Sequence, residues 1–460
     1  MLTNLNKYNI NEVKRVNGNL YKKIITIILF SFLVFFFLNS IIAEKNYFFI
    51  LLLTLTYTIL IVPFFTNDDL LNPLTILIAT QILSVTDVLH RYINRLYYNK
   101  ANSLDVFNDD MYVLSISLIL VWLIMFYIGY IFGGKKPIVL DKIKPEVPRN
   151  SWIIILVTLI ISLLGFLFAV SINGGITSMF SNMSNRVALY SGAGFLKDFV
   201  ALGTVGALLL LYKGYKKTSI LIIILAFFGI ALFGSRGPAI YYTVLPYLLF
   251  YHYMIKKISR RTLLTIGLIL VGFIIVWGQY RSYGNVERLD FSLVNTIWEA
   301  SSQTAMGVTL PVLLSYLENG YINHQFFDLL FNIVFAIVPR AIWLEKPAID
   351  TTGIVGELLF GPEHWGRWVG PYGLSYLSFG WFGVIIMGLI TGVVVKKLYI
   401  KLTRKTSLMY VIFYCFTIRL FIDLFSTGGQ LKIVWFGLWL ILLSLISYFS
   451  WKKKKVMVKT

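Results

Sequence analysis

Arginines near the ends of apolar segments are the residues of this sequence best suited to chemistry. Arg236 lies in a glycine-rich turn between two apolar runs, Arg281 directly follows another run, and Arg340 and Arg419 lie further along the chain. A guanidinium is a rigid fork of N–H donors that matches the oxygens of a phosphate or carboxylate. An ionisable group near membrane depth is costly and is therefore a functional candidate. The pattern predicts an anionic ligand, and a lipid phosphate or diphosphate is the anion favoured at a membrane interface.

A competing interpretation gives these arginines no ligand. Each could extend to the lipid headgroups or pair with an acid, and the acids considered are Asp423, Glu287 and Glu299. Metal chemistry has less support, because the predicted outer segments hold no Asp-x-Asp pair and no His/Asp cluster. Asp109 and Asp110 immediately precede an apolar run and are interpreted as helix N-cap residues.

The composition predicts a membrane protein that positions these residues on transmembrane helices. The chain has 460 residues, of which 58% are hydrophobic and 13% are charged. Apolar runs of about 18 residues or more recur along it, and each is long enough to cross a bilayer. Cys415 lies in such a run and is interpreted as a small buried apolar side chain. Twelve spans are predicted: 24–43, 46–65, 73–90, 111–132, 151–172, 195–212, 218–234, 238–255, 262–278, 376–395, 408–425 and 433–450.

The charge distribution predicts that both termini are cytoplasmic. With this topology 27 of the 41 Lys and Arg residues lie inside, with only five of the acidic residues. The net charge of +20 is therefore a positive-inside signal rather than a nucleic-acid patch. The inner cations are mostly lysine and the outer ones mostly arginine. Because lysine is sufficient to set topology, the outer arginines need a separate explanation.

One long outer loop, residues 279–375, is predicted between the ninth and tenth spans. Proline and glycine punctuate it, which favours short helices. Its segment 325–343 is apolar but contains Asp328 and Pro339-Arg340, so we interpret it as re-entrant or interfacial rather than as a thirteenth crossing. The fold class expected is an all-α polytopic membrane protein, and residues 1–460 are expected to form a single integral membrane domain.

Several patches of the sequence resemble Wzy-type O-antigen and capsule polymerases, which join oligosaccharide repeat units. The likeness covers roughly residues 180–430 and is nearest to the branch of the enterobacterial common antigen polymerase. Its specificity comes from the order, spacing and common outer location of the patches. They are GSRG at 234–237, QYRSYG at 279–284, VPRAIWLEKP at 338–347, GPYG at 370–373 with FGWFG at 379–383, and Arg419.

The resemblance implies a glycosyltransferase of the bacterial cytoplasmic membrane with a GT-C-like fold. Such an enzyme uses an undecaprenyl-diphosphate-linked oligosaccharide as donor on the outer face, without metal or other cofactor. It transfers the growing glycan to a sugar hydroxyl of the next unit, and a chain-length regulator is an expected partner. The diphosphate-binding candidates are Arg186, Arg236, Arg281, Arg340, Lys346 and Arg419.

The acceptor hydroxyl needs a base, and aromatic side chains could contact the sugars. His364 lies in a turn with aromatic neighbours and titrates near neutrality, and Glu299 and Glu345 are alternatives to it. An interfacial aromatic belt would explain the aromatic residues equally well. From the sequence, His324 and His90 show no partner pattern. The aromatic candidates are Trp343, Trp365 and Tyr372, with Trp368 and Trp381 beside them.

Two other functions stay open. An O-antigen ligase would use the same lipid-linked donor, and the PR-x-x-W-x-x-KP patch favours the polymerase over it. A transporter or lipid-linked oligosaccharide flippase also fits twelve spans, but the large outer loop breaks the symmetry between repeat halves that is common in transporters.

Overall fold

The regular secondary structure of the part that the structure describes is helical. This computed structural model describes residues 23–42, 46–67, 69–94, 109–134, 151–181, 196–234, 236–283, 298, 301, 306–325, 355–356, 369–403 and 408–427. None of these residues lies in a β-strand. The all-α prediction is confirmed for these ranges.

The helices follow the apolar runs of the sequence. Helix α9 is continuous but changes type along its length, passing from α-helix (Arg236–Ala239) to π-helix (Ile240–Val244), to α-helix (Leu245–Phe250) and again to π-helix (Tyr251–Ile255). The other helices are α1 Lys23–Ile41, α2 Tyr47–Thr66, α3 Pro73–Asn94, α4 Asp109–Phe132, α5 Ser151–Ile172, α6 Ile176–Ser181, α7 Leu196–Tyr212, α8 Lys216–Leu232, α10 Arg260–Tyr283, α11 Met306–Glu318, α12 Gly370–Thr403 and α13 Leu408–Thr427.

Seven of the described helices, α1 to α5, α10 and α12, are long and apolar enough to cross a membrane. Their apolar side chains are widely exposed, as on Leu268 at 73% and Leu33 at 69%, which is the surface that a lipid environment requires. The chain is therefore a multi-pass membrane protein. The predicted span 433–450 lies outside the described residues, and the count of twelve stays a prediction.

Both ends of the predicted long connection differ from the structure. Helix α12 begins at Gly370, ahead of the predicted start at residue 376, and α10 continues to Tyr283. The connection predicted as residues 279–375 is therefore shorter at both ends, and it contains the short helix α11. The segment 325–343 lies outside the described residues apart from Gln325.

The described residues cluster into two compact units. Unit 1 contains α1 to α4, α11 and α12 as far as Lys396, and unit 2 contains α5 to α10 with the end of α12 and α13 as far as Asp423. The single-domain prediction for residues 1–460 is not decided by this division.

In unit 1, glycines bring α4 and α12 into close contact. A β-carbon at Gly129 would overlap the carbonyl of Leu389, and one at Gly392 would overlap the carbonyl of Phe126. Small residues four apart permit such backbone contact in membranes, where packing rather than the hydrophobic effect joins helices. Gly388 meets Trp122 one turn earlier, so the two helices run in the same direction. The predicted topology requires this direction, since it assigns both helices an outside-to-inside course.

In unit 2, small and hydroxyl residues join α5, α7 and α8. The Ser162 hydroxyl donates to the carbonyl of Val200 at 2.8 Å, and the Ser219 hydroxyl donates to the carbonyl of Ala207 at 2.7 Å. A β-carbon at Gly203 would lie 2.7 Å from the Ser162 oxygen. These contacts fix α7, whose first turn carries an acidic residue of the candidate site.

Candidate site for an anionic ligand

Arg419 of α13 is held by a carboxylate in unit 2. Its Nη2 lies 2.8 Å from Oδ1 of Asp198, and each side chain is 17% exposed. Asp198 stands in the first turn of α7, where the helix dipole favours a negative charge. The acids considered from the sequence did not include Asp198, which is 221 residues away along the chain. The ion pair is therefore a tertiary contact between residues that lie far apart in the sequence.

An aromatic ring fixes the same guanidinium from a second side. Arg419 lies over the ring of Tyr242, which is buried in the first π-helical segment of α9. The carbonyl of Tyr242 accepts a hydrogen bond of 3.0 Å from the hydroxyl of Thr204 on α7. π-Helical turns occur frequently at functional sites, and here one places a ring under a cation. Ring and carboxylate together hold the planar fork in one orientation.

Arg236, the first residue of α9, is packed against α10. Its Nη1 donates to the carbonyl of Ile274 at 3.0 Å. A β-carbon at Gly278, one turn further along α10, would overlap that same Nη1 atom. Gly278 is buried and its backbone is helical, so the missing side chain serves to make room for the guanidinium. Gly234 precedes the arginine with φ +67°, a left-handed conformation suited to glycine and to a tight helix–helix turn.

The first two turns of α9 connect the two arginines, because Arg236 belongs to them and Arg419 contacts them. Arg236 begins the helix, and Tyr242, under the Arg419 guanidinium, follows within two turns. The carboxylate partner comes from the first turn of α7, and Arg236 reaches the last turns of α10. These three helix ends share one side of the membrane in the predicted topology. We call this end of unit 2 the arginine site and define it by Arg236, Arg419, Asp198 and Tyr242. It contains two guanidinium groups, each held by contacts with neighbouring residues, and one carboxylate.

The arginine site contains the kind of group that binds phosphate oxygens. Guanidinium groups bind phosphate oxygens through paired N–H donors, and their fixed orientation lowers the entropic cost of binding. Asp198 already balances the charge of Arg419, so a diphosphate would have to bind beside this carboxylate or displace it.

The other predicted site residues are distributed as follows. Arg281 lies in the last turn of α10, and only its backbone is described. Tyr372 is fully buried in unit 1 at the start of α12, so no ring face is presented to a sugar in this conformation. Its sugar-contacting role stays a prediction. Arg186, Glu299, Arg340, Trp343, Glu345, Lys346, His364 and Trp365 lie outside the described residues.

A buried acid in unit 1 was not singled out from the sequence. Asp87 on α3 is fully buried, and its Oδ2 accepts a 2.7 Å hydrogen bond from the backbone N–H of Gly307 on α11. Arg91, one turn later, places Nε 3.6 Å from the other carboxylate oxygen. Asp87 thus fixes the N-terminal end of α11 against a membrane-spanning helix. These contacts indicate that Asp87 serves to position α11.

Three simpler expectations can be compared with the structure. Cys415 is a buried free thiol, as predicted. Asp109 and Asp110, predicted as N-cap residues, lie instead within the first turn of α4, where the helix dipole favours them. The sequence indicated no partner for His324, but its Nδ1 lies 2.9 Å from the carbonyl of Tyr376. Across the ranges described, His, Cys, Asp and Glu form no group of three or more that could hold a metal ion.

Comparison of the chain with protein-family models, with curated proteins and with solved structures gave no match.

Proposed function

We propose that the chain is a polymerase that joins polyprenyl-diphosphate-linked oligosaccharide repeat units at the outer face of the bacterial cytoplasmic membrane. The observation that carries the proposal is the pair of oriented guanidinium groups at one end of unit 2, Arg236 on Ile274 and Arg419 between Asp198 and Tyr242. The excess of arginine over lysine among the predicted outer cations points in the same direction. A chain-length regulator is a proposed partner.

The chemistry proposed uses arginine for the leaving group. The bond between the donor's anomeric carbon and the diphosphate oxygen breaks, and negative charge grows on the diphosphate. A fixed donor at that position in a dry site can lower the barrier by about 3 kcal/mol. The acceptor hydroxyl oxygen forms the new glycosidic bond, and its proton passes to a base. His364, Glu299 and Glu345 are the bases proposed from the sequence.

A genetic experiment tests the proposal. We would delete the gene in its host, complement it with variants, and size the surface glycan on a gel. We expect the deletion to leave glycan bearing a single repeat unit, and Arg236→Ala and Arg419→Ala to fail to restore the long ladder. Arg261→Ala is the matched control, because Arg261 is exposed at the opposite end of α10 and is assigned to the inner face. An unchanged ladder in the deletion strain would refute the proposal.

A second candidate, a flippase for the lipid-linked oligosaccharide, has one observation in its favour. Helix α12 is interrupted at Phe379 and Gly380, where the backbone leaves helical geometry. Transporters often build their binding sites from interrupted helices of this kind. In the same deletion strain, repeat units accumulating on the inner leaflet would identify a flippase. Full-length polymer accumulating on its lipid carrier would identify a ligase.

A further inference from the structure

The interruption in α12 is stabilised by the segment that follows α11. Phe379 has φ −140° and ψ 20°, and Gly380 has φ 59° and ψ −148°, so the helix stops and restarts there. Such a break removes the helical donors from the carbonyls of the preceding turn. The N–H of Gln325 donates to the carbonyl of Leu377 at 2.8 Å, and His324 Nδ1 lies 2.9 Å from the carbonyl of Tyr376. Hydrogen bonds from residues 324 and 325 therefore stabilise the break in α12.

The hydrogen bond of His324 also determines its tautomer. A carbonyl oxygen can only accept, so Nδ1 must carry the hydrogen that it donates to Tyr376. In the neutral ring the acceptor lone pair then lies on Nε2. The imidazole packs edge-on to the Tyr376 ring, with centroids 5.6 Å apart.

The carboxylate of Glu318 contacts this cluster but does not stabilise α11, the helix to which it belongs. Glu318 is the last residue of α11, and its Oε1 accepts a hydrogen bond of 3.2 Å from the Tyr376 hydroxyl. The C-terminal end of a helix is the negative end of its dipole, so an acid is disfavoured there by about 0.3–1 kcal/mol. Glu318 is exposed, which leaves its carboxylate accessible. Helix stability therefore does not explain this residue.

An accessible indole lies on the other side of Tyr376. Trp381 starts the second part of α12, is 40% exposed, and packs edge-on to Tyr376 with centroids 5.9 Å apart. An aromatic belt at the membrane interface would account for the indole and the phenol. An aromatic belt does not require a carboxylate beside that phenol, because a charge near a lipid interface is costly. Indole, phenol, imidazole and carboxylate together match a polyhydroxylated ligand with one apolar face.

We propose that Glu318, His324, Tyr376 and Trp381 form a saccharide-binding subsite. The exposed indole face of Trp381 packs against the C–H face of a sugar ring, and the Glu318 carboxylate accepts hydrogen bonds from two neighbouring hydroxyls. Tyr376 positions the carboxylate and the indole, and the hydrogen bond from His324 Nδ1 holds the Tyr376 carbonyl at the break in α12. The inference rests on the proposed function, since it names the glycan as the part of the substrate that these residues bind.

The test measures sugar binding independently of polymerisation. Purified full-length protein in lipid nanodiscs would be titrated with mono- and disaccharides hydrolysed from the host's own surface glycan, and binding would be followed by saturation-transfer NMR. The variants are Trp381→Leu and Glu318→Gln. Trp152→Leu is the matched control, because Trp152 is 52% exposed and also packs edge-on to a tyrosine, Tyr215, at 5.7 Å.

We expect the wild type and Trp152→Leu to bind at least one of these saccharides equally. Glu318→Gln should weaken binding about tenfold, because a charge-assisted hydrogen bond is roughly twice as strong as a neutral one. Trp381→Leu should abolish transfer to the sugar C–H protons. No binding by the wild type, unchanged binding by Trp381→Leu, or an equal loss in Trp152→Leu would overturn the subsite. The glycan ladder of the deletion strain tests the polymerase proposal separately, because either experiment can fail while the other succeeds.

Discussion

A single methyl group can test whether the position of Arg236 matters. Gly278→Ala would place a β-carbon where Arg236 Nη1 now lies, against the carbonyl of Ile274. The overlapping atom is the far end of a flexible side chain, so we expect the guanidinium to move by about 2 Å to reach ordinary van der Waals separation. The stability of α10 itself should rise, because alanine is favoured over glycine in a helix by about 1 kcal/mol.

The expected result is a loss of activity without a loss of stability. A misplacement of about 1 Å at a catalytic group can cost about a hundredfold in rate, so we expect Gly278→Ala to lower the rate of polymerisation by roughly ten- to a hundredfold. The rate would be measured as lengthening of lipid-linked repeat units by purified protein. Apparent melting temperature, followed by fluorescence-detected size exclusion, would serve as the measure of stability.

Gly272→Ala on the same helix is the control. A β-carbon there has no neighbouring atom within 4 Å, so it brings the same helix preference without moving Arg236. Equal rates for Gly278→Ala and Gly272→Ala would show that the position of the Arg236 guanidinium is irrelevant to the reaction. A fall in melting temperature with Gly278→Ala alone would show that the arginine is a structural residue.

Three further predictions concern packing and charge. Asp198→Asn should lower the apparent melting temperature by several degrees, because it leaves the Arg419 guanidinium largely buried without its carboxylate, a loss of order 3–5 kcal/mol. Gly307→Ala should destabilise the protein by about 2 kcal/mol, because a β-carbon there overlaps the backbone carbonyl of Asp87 and breaks the hydrogen bond to its side chain. Gly392→Leu should sharply reduce the yield of folded protein, because it forces α4 away from α12. Each is measured by thermal unfolding and by the monodisperse fraction after purification.

Matched substitutions separate these effects from general damage. The double variant Asp198→Asn with Arg419→Met should recover part of the lost stability, and strictly additive losses would contradict a direct ion pair. Gly267 on α10 has open space around its α-carbon, so Gly267→Ala and Gly267→Leu are the controls for the two glycine predictions. Equal effects at Gly267 would contradict the contacts assigned to Gly307 and Gly392.

The hydropathy pattern predicted where most helices lie, because a membrane-spanning helix needs a long apolar run and leaves that run visible in the sequence. The predicted span 151–172 has the same bounds as α5, and 111–132 differs from α4 by two residues at its start. The break at Phe379 and Gly380 was missed, since both residues lie within an uninterrupted apolar run. Hydropathy reports burial in lipid and carries no signal for a change of backbone direction.

Partners across the fold could not be predicted from one sequence. The pairing of Arg419 with Asp198 depends on how α13 packs on α7, and nothing local to either residue indicates it. The role of Gly278 depends in the same way on the neighbouring helix. The sequence predicts an anion-binding type of site, because arginine beside glycine at helix ends is unusual for residues that only set topology, and this type stays a prediction.

We infer that this chain itself joins lipid-linked repeat units. The most direct measurement is to reconstitute the purified protein in nanodiscs with lipid-linked repeat units from the deletion strain, without other proteins or added metal, and to analyse the products by mass spectrometry. We expect lipid-linked glycans of two or more repeats, with one free polyprenyl diphosphate released for each bond formed. Repeat units that stay single, while the protein remains folded and binds the lipid-linked donor, would contradict this inference.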